Sequence, residues 1–148
     1  VEIKPPDPAV AQATCDLLRQ QGASERALVG TVHDEVVAAF RAACPESPTS
    51  MVESEIRPFW KLSTIFLGQL YQTPTGAAAL QGPERASLPV LGEVQVITPR
   101  FVRIIHKHNP EIHAWTINET ADMERLLDTG IDDIITDRPD RMLELNGR

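Results

Sequence analysis

Cysteine is scarce. Of 148 residues only Cys15 and Cys44 carry thiols, far apart and with no Cys-x-x-Cys spacing, so neither a zinc cluster nor a disulfide framework is indicated. Long apolar runs are missing too. The longest run only a few residues, as in Ile65-Phe66-Leu67, too short to span a bilayer, so no membrane span is expected. No charged segment followed by an apolar one precedes the opening residues; no signal peptide is visible, which favours a cytoplasmic location. Basic residues are in deficit, 14 against 21 acidic ones, for a net charge of -7. That balance argues against a nucleic-acid partner, which needs a basic footprint. It leaves a phosphorylated small substrate open, because a divalent metal can supply positive charge. No glycine-rich phosphate loop follows any predicted strand, so a nucleotide-binding doubly wound sheet is disfavoured.

Hydrophobic residues make up 42% and charged residues 24%, enough for a cored globular domain of ordinary size. Val1–Lys4 reads as a strand, and a chain that starts inside a strand looks like a piece of something longer. Asp7 and Pro8 suit the start of a helix that Gly22 closes. Ala27–Val32 reads as a buried strand, Asp34 as the cap of a helix ending at Pro45, and Thr49–Val52 as a short strand. A helical pattern follows, carrying Ile56, Phe59, Trp60, Ile65, Phe66 and Leu70. Residues 73–95, broken by Gly76, Gly82, Pro83, Pro89 and Gly92, read as loop. Thr98-Pro99 opens a helix to about His108, and Ile112–Asn118 is a strand. Asn118 or Thr120 caps a helix ended by Gly130, Ile131–Thr136 is a strand, and Asp137 with Pro139 starts a last helix. Alternating strands and helices predict a parallel sheet with covering helices. About five strands are visible, whereas a complete eight-stranded barrel needs about 250 residues.

In parallel α/β folds the reacting groups lie at the C-terminal ends of strands. Glu2 and Lys4 are two apart, so they share a strand face. Either Glu2 is a hard-metal ligand with Lys4 a phosphate contact, or the two form an ion pair. Trp115, on the same face as His113, either walls a ligand pocket or packs in the core. His33 is expected to help start a helix. His106 and His108 are expected to be solvated, Asp137 to be an N-cap, and Asp132-Asp133 to mark entry into a strand.

The stretch Trp115-Thr116-Ile117-Asn118, Met123-Glu124-Arg125-Leu126-Leu127, Gly130-Ile131-Asp132 and Ile134-Ile135-Thr136-Asp137-Arg138-Pro139 resembles the C-terminal signature of the glycerophosphodiester phosphodiesterase family. Val1-Glu2-Ile3-Lys4 resembles that family's mid-barrel Glu-Ile-Lys strand, and His33-Asp34-Glu35-Val36 to Pro45 is similar to a later segment. The resemblance implies an α/β fold of the TIM (β/α)8 kind, of which residues 1–148 would be the C-terminal part, about the last five strands. It implies metal-dependent hydrolysis of small glycerophosphodiesters to an alcohol and sn-glycerol 3-phosphate, with Ca2+ or Mg2+. By position, Glu2 would bind the metal, Lys4 the phosphate, and Trp115 would line the glycerol side of the pocket.

The departures are as specific. No His is followed by Arg-Gly and no Glu-x-Asp occurs, so the family's catalytic histidines and two of its three metal carboxylates are absent. Thr31-Val32 replaces a Ser-Phe, and Asp133 a usual Gly. The isolated chain is therefore expected to be inactive. With missing neighbours at both sheet edges, it is also expected to self-associate or to be loosely folded. The competing expectation is a non-catalytic partial barrel that binds a phosphoester or a partner.

Overall fold

A computed structural model describes residues 1–88 and 92–147; Pro89 lies outside the described residues. Helix α1 (Pro8–Gln20) begins as the sequence predicts. The Asp7 carboxylate accepts from the Ala9 amide at 2.9 Å, and Pro8 occupies the first turn. Helix α2 (Asp34–Ala43) buries Val36, Val37 and Phe40. Asp34 is its first residue and not its cap. That place belongs to His33, whose ring caps nothing and whose Nε2–H donates to the Lys4 carbonyl at 3.0 Å.

The two helices pack side by side, and Cys15 Sγ is bonded to Cys44 Sγ, with the Cα atoms 5.6 Å apart. The expectation of no disulfide is thus corrected. Sequence separation hid the pair, because it says nothing about which faces of two neighbouring helices meet. Both sulfurs sit in a cluster with Ile3, Ala11, Leu18, Val29, Val36 and Phe40.

Strands β1 (Thr49–Ser50), β2 (Ala77–Pro83), β5 (Glu111–Trp115) and β6 (Asp133–Ile134) form one parallel sheet in that order. Beyond β1, Val29 bridges Thr49 and Glu2 bridges Gly30, both in parallel sense. Six parallel segments therefore lie side by side in chain order, against the five expected. The additional one is β2, in the stretch read as loop. Its Ala-Ala-Ala-Leu-Gln-Gly-Pro sequence has few of the β-branched and aromatic residues that mark strands. It lies mid-sheet, covered on both faces, and Ala79 and Leu80 are both buried. The predicted strands 1–4 and 27–32 shrink to single bridges, and 112–118 and 131–136 to β5 and β6. Among the described residues the sheet is open, with no pairing between β6 and the Glu2 segment.

Helix α3 (Glu53–Thr64) stops short of the predicted Leu70. The Leu67 amide turns back to the Leu62 carbonyl at 2.8 Å, and Phe66 takes the left-handed conformation at φ +68°. Ile65, Phe66 and Leu70 are consequently exposed. An antiparallel hairpin, β3 (Arg85–Leu88) with β4 (Gly92–Gln95), follows β2 directly. Helix α4 (Pro99–His106) has the predicted Thr98 cap, its hydroxyl accepting from the Phe101 amide at 3.2 Å. Helix α5 (Thr120–Asp128) is capped at Glu119 and helix α6 (Pro139–Leu145) at Arg138, neither by the residues expected. Asn118 and Asp137 bond each other instead: the Asn118 amide accepts from the Asp137 backbone at 2.9 Å and from Thr136 Oγ1 at 3.0 Å. This clasps the ends of β5 and β6 together. The second and larger core cluster joins Phe59, Phe101, Ile105, Met123 and Leu126 across the sheet's helical layer.

The two clusters are tied at Arg41. Its guanidinium donates to Thr49 Oγ1 at 2.9 Å and grips both oxygens of Glu55, and Glu55 also accepts from the Val52 amide at 3.0 Å. The Tyr71 hydroxyl donates to the Glu55 carbonyl, and burial, then the Glu55 charge, raise the phenol above its ordinary pKa. The ion pair is only 16% and 17% exposed. Arg41→Ala strands Glu55 and is expected to cost about 2–3 kcal/mol. Denaturant titration checks this; a loss under about 0.5 kcal/mol would mean the pair behaves as a surface one.

Candidate active site

The C-terminal ends of the parallel segments converge on one cavity of about 870 Å³. Thr31, Met51, Pro83, Trp115, Thr116 and Ile135, which come from five successive segments, all line it. This is the size of a small-molecule site, on the face where such folds keep their chemistry. Ala86 and Val94 of the hairpin form part of the rim.

Two of the three predicted site residues lie on this cavity. Glu2 lines it at one end of the sheet and Trp115 near the other. Trp115 keeps 43% of its surface exposed, so it is not core packing, and its peptide bond to Thr116 is cis. Lys4 is not on the lining. Its ammonium, 78% exposed, donates to Glu2 Oε2 at 2.7 Å. His33 holds the Lys4 backbone through its carbonyl, so the Glu2–Lys4 segment is anchored from two sides.

Beneath Trp115 on the same face of β5 lie His113 and Glu111, as the two-residue period requires. His113 is 6% exposed. Its Nε2 faces Glu111 Oε2 at 3.1 Å and its Nδ1 faces Gln81 Nε2 at 3.2 Å. A carboxylate only accepts, so Nε2 carries the proton and Nδ1 accepts from Gln81. Gly30 completes this polar layer: a Cβ there would meet Ser50 Oγ at 2.8 Å. The sequence placed His113 beside Trp115 but did not find Gln81, which sat in the stretch read as loop. His106 is exposed at the end of α4, as expected, whereas His108 is half-buried. His106 donates to Asp132 Oδ2 at 2.8 Å, and His108 to the Gly68 carbonyl at 3.0 Å.

A hard cation takes about six to eight oxygen ligands if Ca2+, and near-octahedral ones if Mg2+. The carboxylates on the cavity lining are Glu2 and Glu53; Lys4 holds the first and Arg57 the second. Among the described residues, the three-ligand grouping the structure offers is Cys15, Cys44 and Glu46, whose thiols are already joined. The residues present do not by themselves house a metal. No helix among the described residues is long and apolar enough to cross a membrane.

Residues 26–141 match the sequence model of the glycerophosphoryl diester phosphodiesterase family. The "Probable glycerophosphodiester phosphodiesterase 2" of Mycobacterium tuberculosis is 47% identical over 55 residues, 37% of this chain and 21% of that protein. The glycerophosphodiester phosphodiesterase of Bacillus subtilis is 33% identical over 63 residues, 43% of this chain and 22% of that protein. A crystal structure of a glycerophosphodiester phosphodiesterase from Agrobacterium tumefaciens superposes with a TM-score of 0.68 at 16% identity, covering 99% of this chain and 55% of that one. A glycerophosphoryl diester phosphodiesterase domain from M. tuberculosis gives 0.71 at 12% identity, covering 87% and 52%. The chain thus spans about half the length of the solved structures it resembles. With the model matched over most of its length, this chain belongs to the glycerophosphoryl diester phosphodiesterase family.

Proposed function

We propose that this sequence is the C-terminal part of a (β/α)8 phosphodiesterase that hydrolyses glycerophosphodiesters to an alcohol and sn-glycerol 3-phosphate. The observation that carries this is the position of Glu2 and Trp115 on one cavity at the C-terminal ends of strands, in a chain of this family. In the complete enzyme a Ca2+ or Mg2+ ion would neutralise the phosphate, with Glu2 as one of its ligands. Lys4, freed from Glu2, would reach a phosphate oxygen. The Trp115 indole would cover the apolar edge of the glycerol and exclude water from it. The layer Gln81–His113–Glu111 would hold the base of β5, and so Trp115, in place.

A second reading, a phosphoester- or partner-binding module without turnover, is favoured by one observation: the lining carboxylates are both taken by cations, and no acid–base pair is placed on the cavity among the described residues. Both readings expect the 148-residue chain alone to show no metal-dependent hydrolysis of glycerophosphocholine. Turnover that survives purification and vanishes in Glu2→Ala would reject that. We further propose that the open sheet edges at Glu2 and β6 draw copies together or leave the chain loosely packed. Light scattering showing a compact monomer, with no hydrophobic-dye binding, would reject this second point.

A further inference from the structure

The sequence is acidic as a whole, yet residues 56–83 and 94–110 contain no Asp or Glu and carry five Lys and Arg. The fold brings these two stretches together. Ile104 of α4 packs on Gly68, His108 bonds the Gly68 carbonyl, and the Arg100 guanidinium lies 3.5 Å from the centre of the Phe66 ring. Arg100, Arg103, Ile104 and Lys107 fall at the spacing of one helical stripe, and Lys61 stands one turn before Ile65. Lys61, Arg100, Arg103 and Lys107 have no ion-pair partner among the described residues. Of the other Lys and Arg side chains there, all but Arg26 do. Asp132, which approaches α4, is taken by His106.

Beside these cations stand apolar side chains in water. Ile65 is 60%, Phe66 70% and Leu70 66% exposed. Helix α4 of the ledge packs on β5, an interior strand and not one of the sheet's open edges. Phe66 adds a sharper observation. It occupies the left-handed residue after a helix end, where glycine is usual because it carries no Cβ penalty. A bulky residue held there, with its ring pointing out, spends backbone freedom on a side chain that packs on little but Arg100.

We propose that this ledge docks the protein on an anionic phospholipid surface. Phe66, Ile65 and Leu70 would enter the headgroup boundary, and Lys61, Arg100, Arg103 and Lys107 would meet lipid phosphates, the combination that interfacial segments use. Trp60 and Val96 line both the ledge's cleft and the large cavity, so docking would bring the cavity beside the bilayer. The inference rests on charge and exposure and does not depend on the catalytic proposal.

Co-sedimentation of the 148-residue chain with phosphatidylcholine vesicles, with and without phosphatidylglycerol, tests it. Binding is expected to the anionic vesicles alone and to fall as salt rises from about 0.1 M to about 0.5 M. R103E/K107E is expected to weaken partitioning at least about tenfold. Phe66→Gly relieves the backbone, so it should melt no lower than the parent while binding vesicles several-fold more weakly. No sedimentation of the parent chain, equal binding by both variants, or equal binding to neutral vesicles would overturn the proposal. So would a dimer in light scattering that Phe66→Gly abolishes, since that would give the ledge to a second copy.

Discussion

Glu2→Gln, made in the complete enzyme that carries this sequence, is expected to lower turnover by at least about three orders of magnitude, or to raise the metal concentration needed by as much. With Glu2 in the proposed role, the change would remove a charge and a coordination bond from a hard cation while keeping the side chain's size. It should do so without touching stability. The Glu2–Lys4 pair is exposed at both ends, 54% and 78%, and such pairs contribute about 0–1 kcal/mol. The melting temperature without metal should therefore stay put. Lys4→Met is expected to behave differently: substrate use weakens while metal affinity holds, because its partner would be phosphate. Unchanged activity and unchanged metal dependence in Glu2→Gln would return the two residues to a simple ion pair and bring the binding-module reading forward.

The disulfide carries the second large effect. Closing a loop of 29 residues removes chain entropy from the unfolded state, worth about 3–4 kcal/mol on the loop-closure account. Cys15→Ser is expected to lose that much, plus the cost of placing a hydroxyl in the apolar pocket that Ile3, Ala11 and Val29 form around the sulfurs. Cys15→Ala separates the two costs by omitting the hydroxyl. Reductant should bring the parent chain down toward the alanine variant and leave the variant unmoved. If reductant has no effect, the crosslink does not contribute. A bond of this kind persists in oxidising compartments. Alkylation of thiols in the source cell would show whether the crosslink is formed there.

Helices were legible in the sequence wherever their ends carried chemistry of their own. Asp7-Pro8 and Thr98-Pro99 cap as predicted because a short polar side chain followed by proline has few other uses. Caps failed where a better partner stood across the fold: Asp137 and Asn118 satisfy one another and leave α6 and α5 without side-chain caps. The central strand β2 was hidden because its Ala-Ala-Ala-Leu-Gln-Gly-Pro sequence carries none of the β-branched or aromatic residues that mark strands. Strand-end position and a family motif pointed to Glu2 and Trp115, which line the cavity, and the two-residue period pointed to His113. Gln81 and the cysteine pair had no such signal. Their partners are 32 and 29 residues away, and only the packed fold shows which residues meet.

The hairpin of β3 and β4 differs from everything around it in being held by itself. Its ladder pairs Arg85 with Gln95 and Ala86 with Val94, and Arg85 grips Glu93 across the strands at 2.8 Å, so its bonds are local and antiparallel in a fold otherwise built of crossovers. Yet Ala86 and Val94 face the cavity. A segment of this kind can be exchanged as a cassette: lengthening it or redrawing its inner face would reshape the cavity's mouth, while the parallel sheet beneath keeps its register. Change at this position would then cost little foldability, and replacing the hairpin is the engineering route the architecture leaves open.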